Sequence, residues 1–266
     1  MASSFIALHW LELAGGPSQH VIQRNAMRLA AYYDSSSDET QSIAVTLTGV
    51  AAAESVWQEF DDRWTAALDC VGALHMAPLM SSCGRFSGWT EDQKLSLLCR
   101  LWNVVGGFRN HLTAYTCTVL LRDWKQAKAE NQSLRSPHSI CVNFCVGGLA
   151  LPEGCTGEPK PIILYFDQNE NFMHKVNRVW QRWKKQNGTF FSYIDDIKKA
   201  DNSAPPVQLA DMLAWISNNR ALGRSYSLKE FLELPSVLMI EHVRRTYHYE
   251  TIQEIYPNGA LRNHVR

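Results

Sequence analysis

Five consecutive apolar residues, Ile162 to Phe166, follow Pro161 and lead directly to Asp167. A strand that is buried on both faces shows no alternation of apolar and polar side chains. The run therefore predicts a central strand of an α/β sheet with helices on both faces. Asp167 then lies at the carboxyl end of that strand, where ligands bind in open α/β sheets. An ordinary turn or helix-capping role for Asp167 is the alternative.

A second carboxylate lies on a helix that is predicted to bury most of its surface. Pro205 and Pro206 predict the first turn of this helix, because proline needs no N–H partner there. Gln208 and Asp211 are three residues apart and therefore share one face. A carboxylate in this setting is costly unless it is hydrogen-bonded, paired or bound to a cation, so Asp211 is a candidate site residue. The apolar stripe on this helix consists of Leu209, Ala210, Leu213 and Ala214.

A third carboxylate, Asp34, follows a strand-like run that begins at Met27. The three serines at 35–37, with Asp38 and Glu39, predict a turn after it, and residues 43–50 predict the returning strand. Three aspartates that converge on one end of a sheet repel one another unless cations lie between them. Oxygen ligands suit Mg²⁺ or Mn²⁺, and one or two such ions activate water for phosphodiester cleavage. An ordinary hairpin-end role for Asp34 is the alternative.

The order of these parts, with a Trp-containing helix and a Leu74-His75 step after the first aspartate, resembles a bacterial protein family. It is similar to domain-of-unknown-function family 3800, which is grouped with ribonuclease-H-like folds. The resemblance covers residues 27–220, and its most specific element is the segment from Val207 to Ala214. The first motif of the family is usually Asp-Glu-Ser-Gly. Here Asp34 is followed by three serines, without the glutamate and the glycine.

The resemblance implies a ribonuclease-H-like α/β fold with a mixed sheet and helices on both faces. It also implies a nuclease-like site in which Asp34, Asp167 and Asp211 are catalytic and bind one or two Mg²⁺ or Mn²⁺ ions. Around them, Gln208 is expected to orient a metal-binding carboxylate. The altered first turn favours the alternative, a non-catalytic nucleic-acid- or protein-interaction module that keeps the fold. The auxiliary residues implied by the resemblance are Asp201 and His75.

A basic helix face is predicted directly after Asp167. The apolar residues of segment 172–183 recur at helical spacing, and Lys175, Arg178 and Arg182 lie on the opposite face. Because this helix begins close to Asp167, these three residues are candidates to bind the phosphates of a nucleic acid. An ordinary solvated surface is the alternative. Hydrolysis of a glycoside by two carboxylates is a third option, with no other residue in its favour.

Composition limits the partners and the compartment. The chain has 26 basic and 26 acidic residues, so a nucleic acid must be bound by a local patch rather than by overall charge. The seven cysteines are scattered and odd in number, which predicts reduced thiols in a cytoplasmic protein. Cys141 and Cys145 have no second Cys/His pair at ligand spacing, so we expect no zinc. We also expect no membrane partner, since no apolar run has the length of a membrane span.

The order of the predicted helices and strands divides the 266 residues into three parts. Residues 1–26 are expected to be an N-terminal extension outside the core, residues 27–220 the ribonuclease-H-like domain, and residues 221–266 a C-terminal appendage of one helix and one strand. Further helices are predicted at 56–71, 91–105 and 123–133, and further strands at 108–121, 139–151 and 246–256.

Overall fold

Six strands form one sheet in the part of the chain that the computed structural model describes, residues 28–37, 43–150, 161–167, 176–178, 180–181, 185, 194–226, 228 and 241–255. The strands are β1 (Leu29–Ser37), β2 (Ala44–Ala53), β3 (Thr113–Leu120), β4 (Ile162–Asp167), β5 (Ile194–Ala200) and β6 (Glu241–Tyr247). Their order across the sheet is β5-β4-β1-β2-β3-β6. Strand β2 runs antiparallel to β1 and β3, whereas β4 and β5 run parallel to β1, and β6 runs parallel to β3. The predicted α/β class with a mixed sheet is confirmed.

Helices cover both faces of this sheet, as predicted. One face packs against α1, α2, α3 and α6, and the other packs against α4, α5 and α7. A buried sheet of this kind needs apolar side chains on both faces, and each face has its own apolar core. The helices are α1 (Glu54–Leu68), α2 (Met76–Met80), α3 (Glu91–Gly107), α4 (Leu121–Glu130), α5 (Pro137–Ala150), α6 (Pro205–Ala221) and α7 (Tyr249–Ile255).

Helix α6 begins where its two prolines predict. Pro205 and Pro206 occupy the first turn, and the helix continues to Ala221. It lies across β1 and β2 and also contacts α1, so most of its side chains are buried. A helix that is enclosed in this way needs apolar residues on nearly all sides, which explains why its apolar residues are not confined to one stripe.

The strand predicted at 139–151 is wrong, because residues 137–150 form helix α5. A short run that is almost wholly apolar shows no clear period, so it does not distinguish a buried strand from a buried helix. The local signal for a helix precedes the run. The hydroxyl of Ser136 accepts a hydrogen bond from the N–H of Ser139 (3.2 Å), and Pro137 begins the helix.

The cysteines of this segment therefore lie on a helix rather than on a strand. Cys141 and Cys145 are one turn apart on the face of α5 that packs against the sheet. The Cys141 thiol donates to the carbonyl of Val45 (3.6 Å), and the Cys145 thiol donates to that of Leu47 (3.2 Å). Both side chains are buried in the core of that face. They fill space between α5 and β2 as small apolar residues do.

The turn predicted directly after Asp34 is wrong, because β1 continues to Ser37. Residues 35–37 pair with residues 45–47 of β2 in an unbroken antiparallel register. Backbone pairing with a long neighbouring strand outweighs the turn preference of serine. Asp34 is therefore an internal residue of β1, with its side chain on one face of the sheet.

The C-terminal elements also differ from prediction. The expected strand at 246–256 is wrong, since β6 ends at Tyr247 and residues 249–255 form α7. Strand β6 pairs with β3, so the segment expected to be an appendage supplies one strand of the central sheet. Strand β5 was not predicted. Its residues 195–199 are mostly charged, which is common where a strand has a neighbour on one side only.

Several expectations fall on residues outside the described part of the chain. These are the N-terminal extension at 1–26, Cys155, and most of the helix predicted at 172–183. Of that helix, residues 176–178 and 180–181 are described and are helical. Among the described helices, none combines the length and apolar character required to cross a membrane.

Candidate functional site

Asp34 and Asp167 lie side by side on adjacent parallel strands. The last paired residues of β1 and β4 are Tyr33 and Phe166, and each aspartate is the next residue of its strand. Two residues earlier, the rings of Tyr32 and Tyr165 stack with a centroid distance of 4.7 Å on the face that carries α6. Because side chains alternate along a strand, both aspartates are on this same face. These two aspartates therefore share one face of neighbouring strands.

Asp211 reaches the same region from α6. Its Oδ2 accepts a hydrogen bond from the N–H of Met76 (2.9 Å) and lies 3.9 Å from Nδ1 of His75. The Asp211 side chain is 16% exposed. Asp211 thus binds the first N–H of α2, which stabilises a negative charge.

Gln208 holds the residues just before α2. Its Oε1 accepts hydrogen bonds from Nε1 of Trp64 (3.1 Å) and from the N–H of Leu74 (2.8 Å). Its Nε2 donates to the carbonyl of Ser203 (2.6 Å). None of these partners is one of the three aspartates. The expected contact between Gln208 and a metal-binding carboxylate is therefore replaced by these three hydrogen bonds. Gln208 instead connects α6, α1 and the segment that leads to His75.

The His75 segment is held at its backbone on both sides of the histidine. Gln208 binds the N–H of Leu74 and Asp211 binds that of Met76. The two acceptors lie three residues apart on one face of α6, which matches the two-residue spacing of the donors on an extended segment. This double attachment limits the motion of His75 and places it beside Asp211. A histidine held in this way is pre-organised for a chemical role.

Arg85 is a site residue that the sequence did not indicate. Its Nη1 donates to the carbonyls of Val71 (2.9 Å) and Ala73 (3.3 Å). Gly72, between these two, has a φ of 76°, and a Cβ atom there would lie 2.8 Å from Nη1 of Arg85. The positive φ favours glycine at position 72, and a larger residue there would also displace the end of the Arg85 side chain.

His75 is kept in its neutral form by these surroundings. Burial lowers the pKa of His75, the positive charge of Arg85 lowers it further, and Asp167 partly opposes them. A neutral imidazole at neutral pH can accept a proton, which is what a general base requires.

The carboxylates supply the oxygen donors that Mg²⁺ or Mn²⁺ prefers, but their arrangement is incomplete. Within the described residues, no group of three or more His, Cys, Asp or Glu side chains is placed to hold a metal ion. Asp34 and Asp167 lie on the same face of neighbouring strands, whereas the Asp211 carboxylate accepts a hydrogen bond from the N–H of Met76. A ligand set that includes Asp211 would require its carboxylate to turn away from that N–H.

The remaining predicted residues are Asp201 and three basic residues that follow β4 in the chain. Asp201 lies just before α6, where its Oδ1 accepts from the N–H of Ser203 (2.8 Å) and closes a local turn. Arg178 is exposed on the described helical residues that follow β4 in the chain. Lys175 and Arg182 lie outside the described residues.

Asp211 allows a test of its role in the fold. The Asp211→Asn variant keeps an oxygen that accepts from Met76, so we expect the free energy of unfolding to change by less than about 0.5 kcal/mol. The Asp211→Ala variant leaves that N–H without its acceptor and should lose about 2 kcal/mol. Urea unfolding of both variants measures the difference. Equal losses in the two variants would show that the negative charge, not the acceptor oxygen, stabilises the fold.

Asp61 on α1 gives the fold a pH dependence. Burial, with a contribution from the charge of Asp62, raises the pKa of Asp61 to about 6, and its Oδ1 has no hydrogen-bond partner among the described residues. The folded state therefore binds this proton more tightly than the unfolded state. The resulting stabilisation is complete below the ordinary pKa near 4 and is lost as the pH rises through 6.

We expect the Asp61→Asn variant to lack this loss. Relative to wild type it should gain about 1 kcal/mol between pH 4 and pH 7, an amount that allows for solvent screening of a half-buried group. Urea unfolding at both pH values measures this. The matched control is Asp62→Asn, an exposed neighbour on the same helix, which should follow wild type closely. Parallel pH curves for wild type and Asp61→Asn would contradict the prediction.

Comparison with known proteins does not assign a family to this chain. No protein-family model matches the chain, and no curated protein matches it either.

Proposed function

We propose that this chain is a cytoplasmic, divalent-metal-dependent phosphodiesterase of the nuclease type, with a ribonuclease-H-like fold related to domain-of-unknown-function family 3800. The observation that carries the proposal is the placement of Asp34 and Asp167 on one face at adjacent positions of parallel strands. Carboxylates that share one face of neighbouring strands repel each other when both are ionised, and a cation between them removes that repulsion. The tethered and neutral His75 beside them supports the same conclusion.

In this proposal Asp34 and Asp167 hold one or two Mg²⁺ or Mn²⁺ ions. A bound ion of this kind lowers the pKa of water and neutralises charge on a leaving oxygen. His75 accepts the proton of the attacking water, because its neutral imidazole is fixed near Asp167. Arg85 keeps the imidazole neutral through its positive charge. Asp211 and Gln208 position His75 through the backbone on either side of it.

A nucleic acid is the proposed substrate. Arg178 is exposed, and Lys175 and Arg182 are the other proposed phosphate contacts. Strand β5 adds Lys198, which is exposed and lies 5.9 Å from the ring centroid of Tyr165. Because Lys198 pairs with Tyr165 across the sheet, it is two positions from the level of Asp167. Positive charge beside a carboxylate site suits a phosphodiester backbone.

The second candidate is a non-catalytic module that binds a nucleic acid or a protein. It is favoured by one observation, the direction of Asp211 toward the backbone of Met76. An aspartate that serves as a backbone acceptor contributes to stability without any metal ion. In this case the protein would keep the shape of the site but would not catalyse a reaction there.

Cleavage assays distinguish the two candidates. Single-stranded and duplex RNA and DNA, and an RNA–DNA hybrid, are incubated with the protein and Mg²⁺ or Mn²⁺. We expect at least one of these substrates to be cleaved, and the cleavage to stop when a chelator is added. Replacing Lys175, Arg178 and Arg182 by alanine should weaken binding and reduce its salt dependence. Binding of a nucleic acid without cleavage or divalent-ion binding would establish the non-catalytic module.

A further inference from the structure

A pair of stacked tyrosines lies one row away from the two aspartates, on the same face of the sheet. The rings of Tyr32 on β1 and Tyr165 on β4 are nearly parallel, with an interplanar angle of 10° and a centroid distance of 4.7 Å. Each tyrosine comes two positions before an aspartate, Asp34 or Asp167, so about 7 Å separates the two rows along the strands. The tyrosine pair is therefore the nearest aromatic surface on these strands to the proposed metal site.

The two rings differ in what covers them. The Tyr32 ring contacts Tyr165 and, with a centroid distance of 5.3 Å, the edge of Trp57 on α1. The Tyr165 ring contacts Tyr32 and the ammonium group of Lys198, whose Nζ is 5.9 Å from the ring centroid. Because β1 and β5 flank β4, Tyr32 covers the ring face directed to β1, and Lys198 lies over the face directed to β5. Only the second face is covered by an exposed, flexible side chain.

Tyr165 is partly exposed although β4 is an inner strand of the sheet. The reason is the position of α6, which lies across β1 and β2. Among the described residues, no helix packs extensively against β4 or β5 on this face. The ring face of Tyr165 that is directed to β5 is therefore within reach of a ligand once Lys198 moves aside.

The contacts of Lys198 are weak enough to be exchanged. A distance of 5.9 Å is close to the outer limit of a cation–π contact, and such contacts contribute little at exposed sites. Its Nζ also lies 3.8 Å from Oδ2 of Asp196 on the same strand, in an ion pair of two half-exposed side chains. Exposed ion pairs of this kind are worth little. Lys198 can therefore leave the Tyr165 ring and contact a phosphate group.

We propose that Tyr165 is the base-stacking residue of a single-stranded nucleic-acid site, and that Lys198 contacts a phosphate of the same strand. The inference rests on the proposed function for the position of the cleaved phosphate beside Asp34 and Asp167. One nucleotide spans the distance between the aspartate row and the tyrosine row. A phosphate at the aspartates thus brings the adjoining base to the Tyr165 ring, where it replaces the ammonium group of Lys198.

This geometry selects a single strand. In a duplex each base is stacked between its neighbours, and it reaches a protein pocket only after it has been turned out of the helix at a cost in free energy. In a single strand the phosphate and the base both reach the protein surface without that cost. Every base has a flat face, so stacking on an aromatic side chain tolerates any sequence. The preference is therefore for unpaired strands of either RNA or DNA.

Binding measured in EDTA tests the site without cleavage. The probes are fluorescein-labelled oligoadenylates, one of RNA and one of DNA, each used as a single strand and as a duplex with its complement. Fluorescence anisotropy gives the affinities, and we expect a single strand to be bound at least about fivefold more tightly than its duplex. Tyr165→Leu should weaken single-strand binding by about 5- to 150-fold, the range that one base stack contributes. Tyr165→Phe keeps the ring and should remain within about twofold of wild type, as should Tyr249→Leu on the opposite face of the sheet.

An abasic strand of the same length separates lost stacking from lost folding. Wild type and Tyr165→Leu should bind it equally, because it offers both proteins only its phosphates. Lys198→Gln should reduce the slope of log affinity against log salt concentration by about 0.7, the value for one phosphate contact on a single strand. The matched control is Lys199→Gln, whose side chain alternates to the other face of β5 and should leave the slope unchanged.

Equal affinities of wild type and Tyr165→Leu for the complete single strand would overturn the proposal. A duplex or an abasic strand that wild type binds as tightly as the complete single strand would overturn it as well. If the effects of Tyr165 are as expected but the protein binds no divalent ion, the proposed catalytic function fails and the stacking site stands. If the protein binds Mn²⁺ and cleaves a substrate while Tyr165→Leu changes no affinity, the proposed function stands and the stacking site fails.

Discussion

Replacing Asp167 by asparagine should reduce metal-dependent phosphodiester cleavage to less than about one hundredth of the wild-type rate. Residues that only orient a metal ligand cost up to about 100-fold when they are lost, so a residue that binds the ion directly should cost at least as much. The amide has the same shape as the carboxylate and cannot supply the negative charge. Cleavage rates under saturating Mg²⁺ or Mn²⁺, together with Mn²⁺ affinity measured by calorimetry, provide the test.

The matched control is Asp195→Asn. Asp195 lies on the neighbouring strand β5, is exposed, and pairs with Arg28. The same change of charge at that position should leave cleavage within about twofold of wild type, because exposed ion pairs contribute little. Full activity in Asp167→Asn would refute the metal site formed by Asp34 on β1 and Asp167 on β4. Equal losses in the two variants would indicate an effect of net charge on substrate binding.

Replacing Gln208 by leucine should lower the free energy of unfolding by about 3 kcal/mol. The substitution removes the acceptor for two buried donors, Nε1 of Trp64 and the N–H of Leu74, and each unpaired buried donor costs about 1–3 kcal/mol. A loss of this size is a large part of the stability of a typical domain. Guanidinium unfolding monitored by tryptophan fluorescence measures it.

A double-mutant cycle tests the cause of this loss. Trp64→Phe removes one of the two donors, so Gln208→Leu combined with Trp64→Phe should be more stable than the sum of the single effects predicts. Strict additivity would show that Gln208 stabilises the helix by some other contact. Gln208→Leu should also reduce cleavage, since it releases Leu74 and with it the backbone next to His75.

Local signals were sufficient for the two elements that carry Asp167 and Asp211. The apolar run at 162–166 is continuous and ends at a carboxylate, and β4 is the strand that it predicts. Two prolines followed by apolar residues predict the start of α6, which begins at Pro205. Each of these signals depends on only a few consecutive residues, so it can be recognised from the sequence alone.

Other elements required tertiary information. Segment 139–151 is apolar apart from Ser139 and Asn143, so the pattern alone did not separate a strand from helix α5. Residues 35–37 favour a turn by themselves and remain in β1 because β2 pairs with them. Strand β5 has too few apolar residues to be recognised before β4 is in place beside it.

The sequence by itself determined which aspartates lie on buried strands and helices, because the residues next to them show the apolar pattern of a buried element. The tertiary structure decided which of them meet. The parallel register of β1 and β4 brings Asp34 and Asp167 together, and α6 directs Asp211 to the N–H of Met76. The hydrogen bonds from Thr48 through Thr116 to His242 join three strands that are distant in the chain. Side-chain contacts of this kind depend on strand order and register, which no local segment of the sequence specifies.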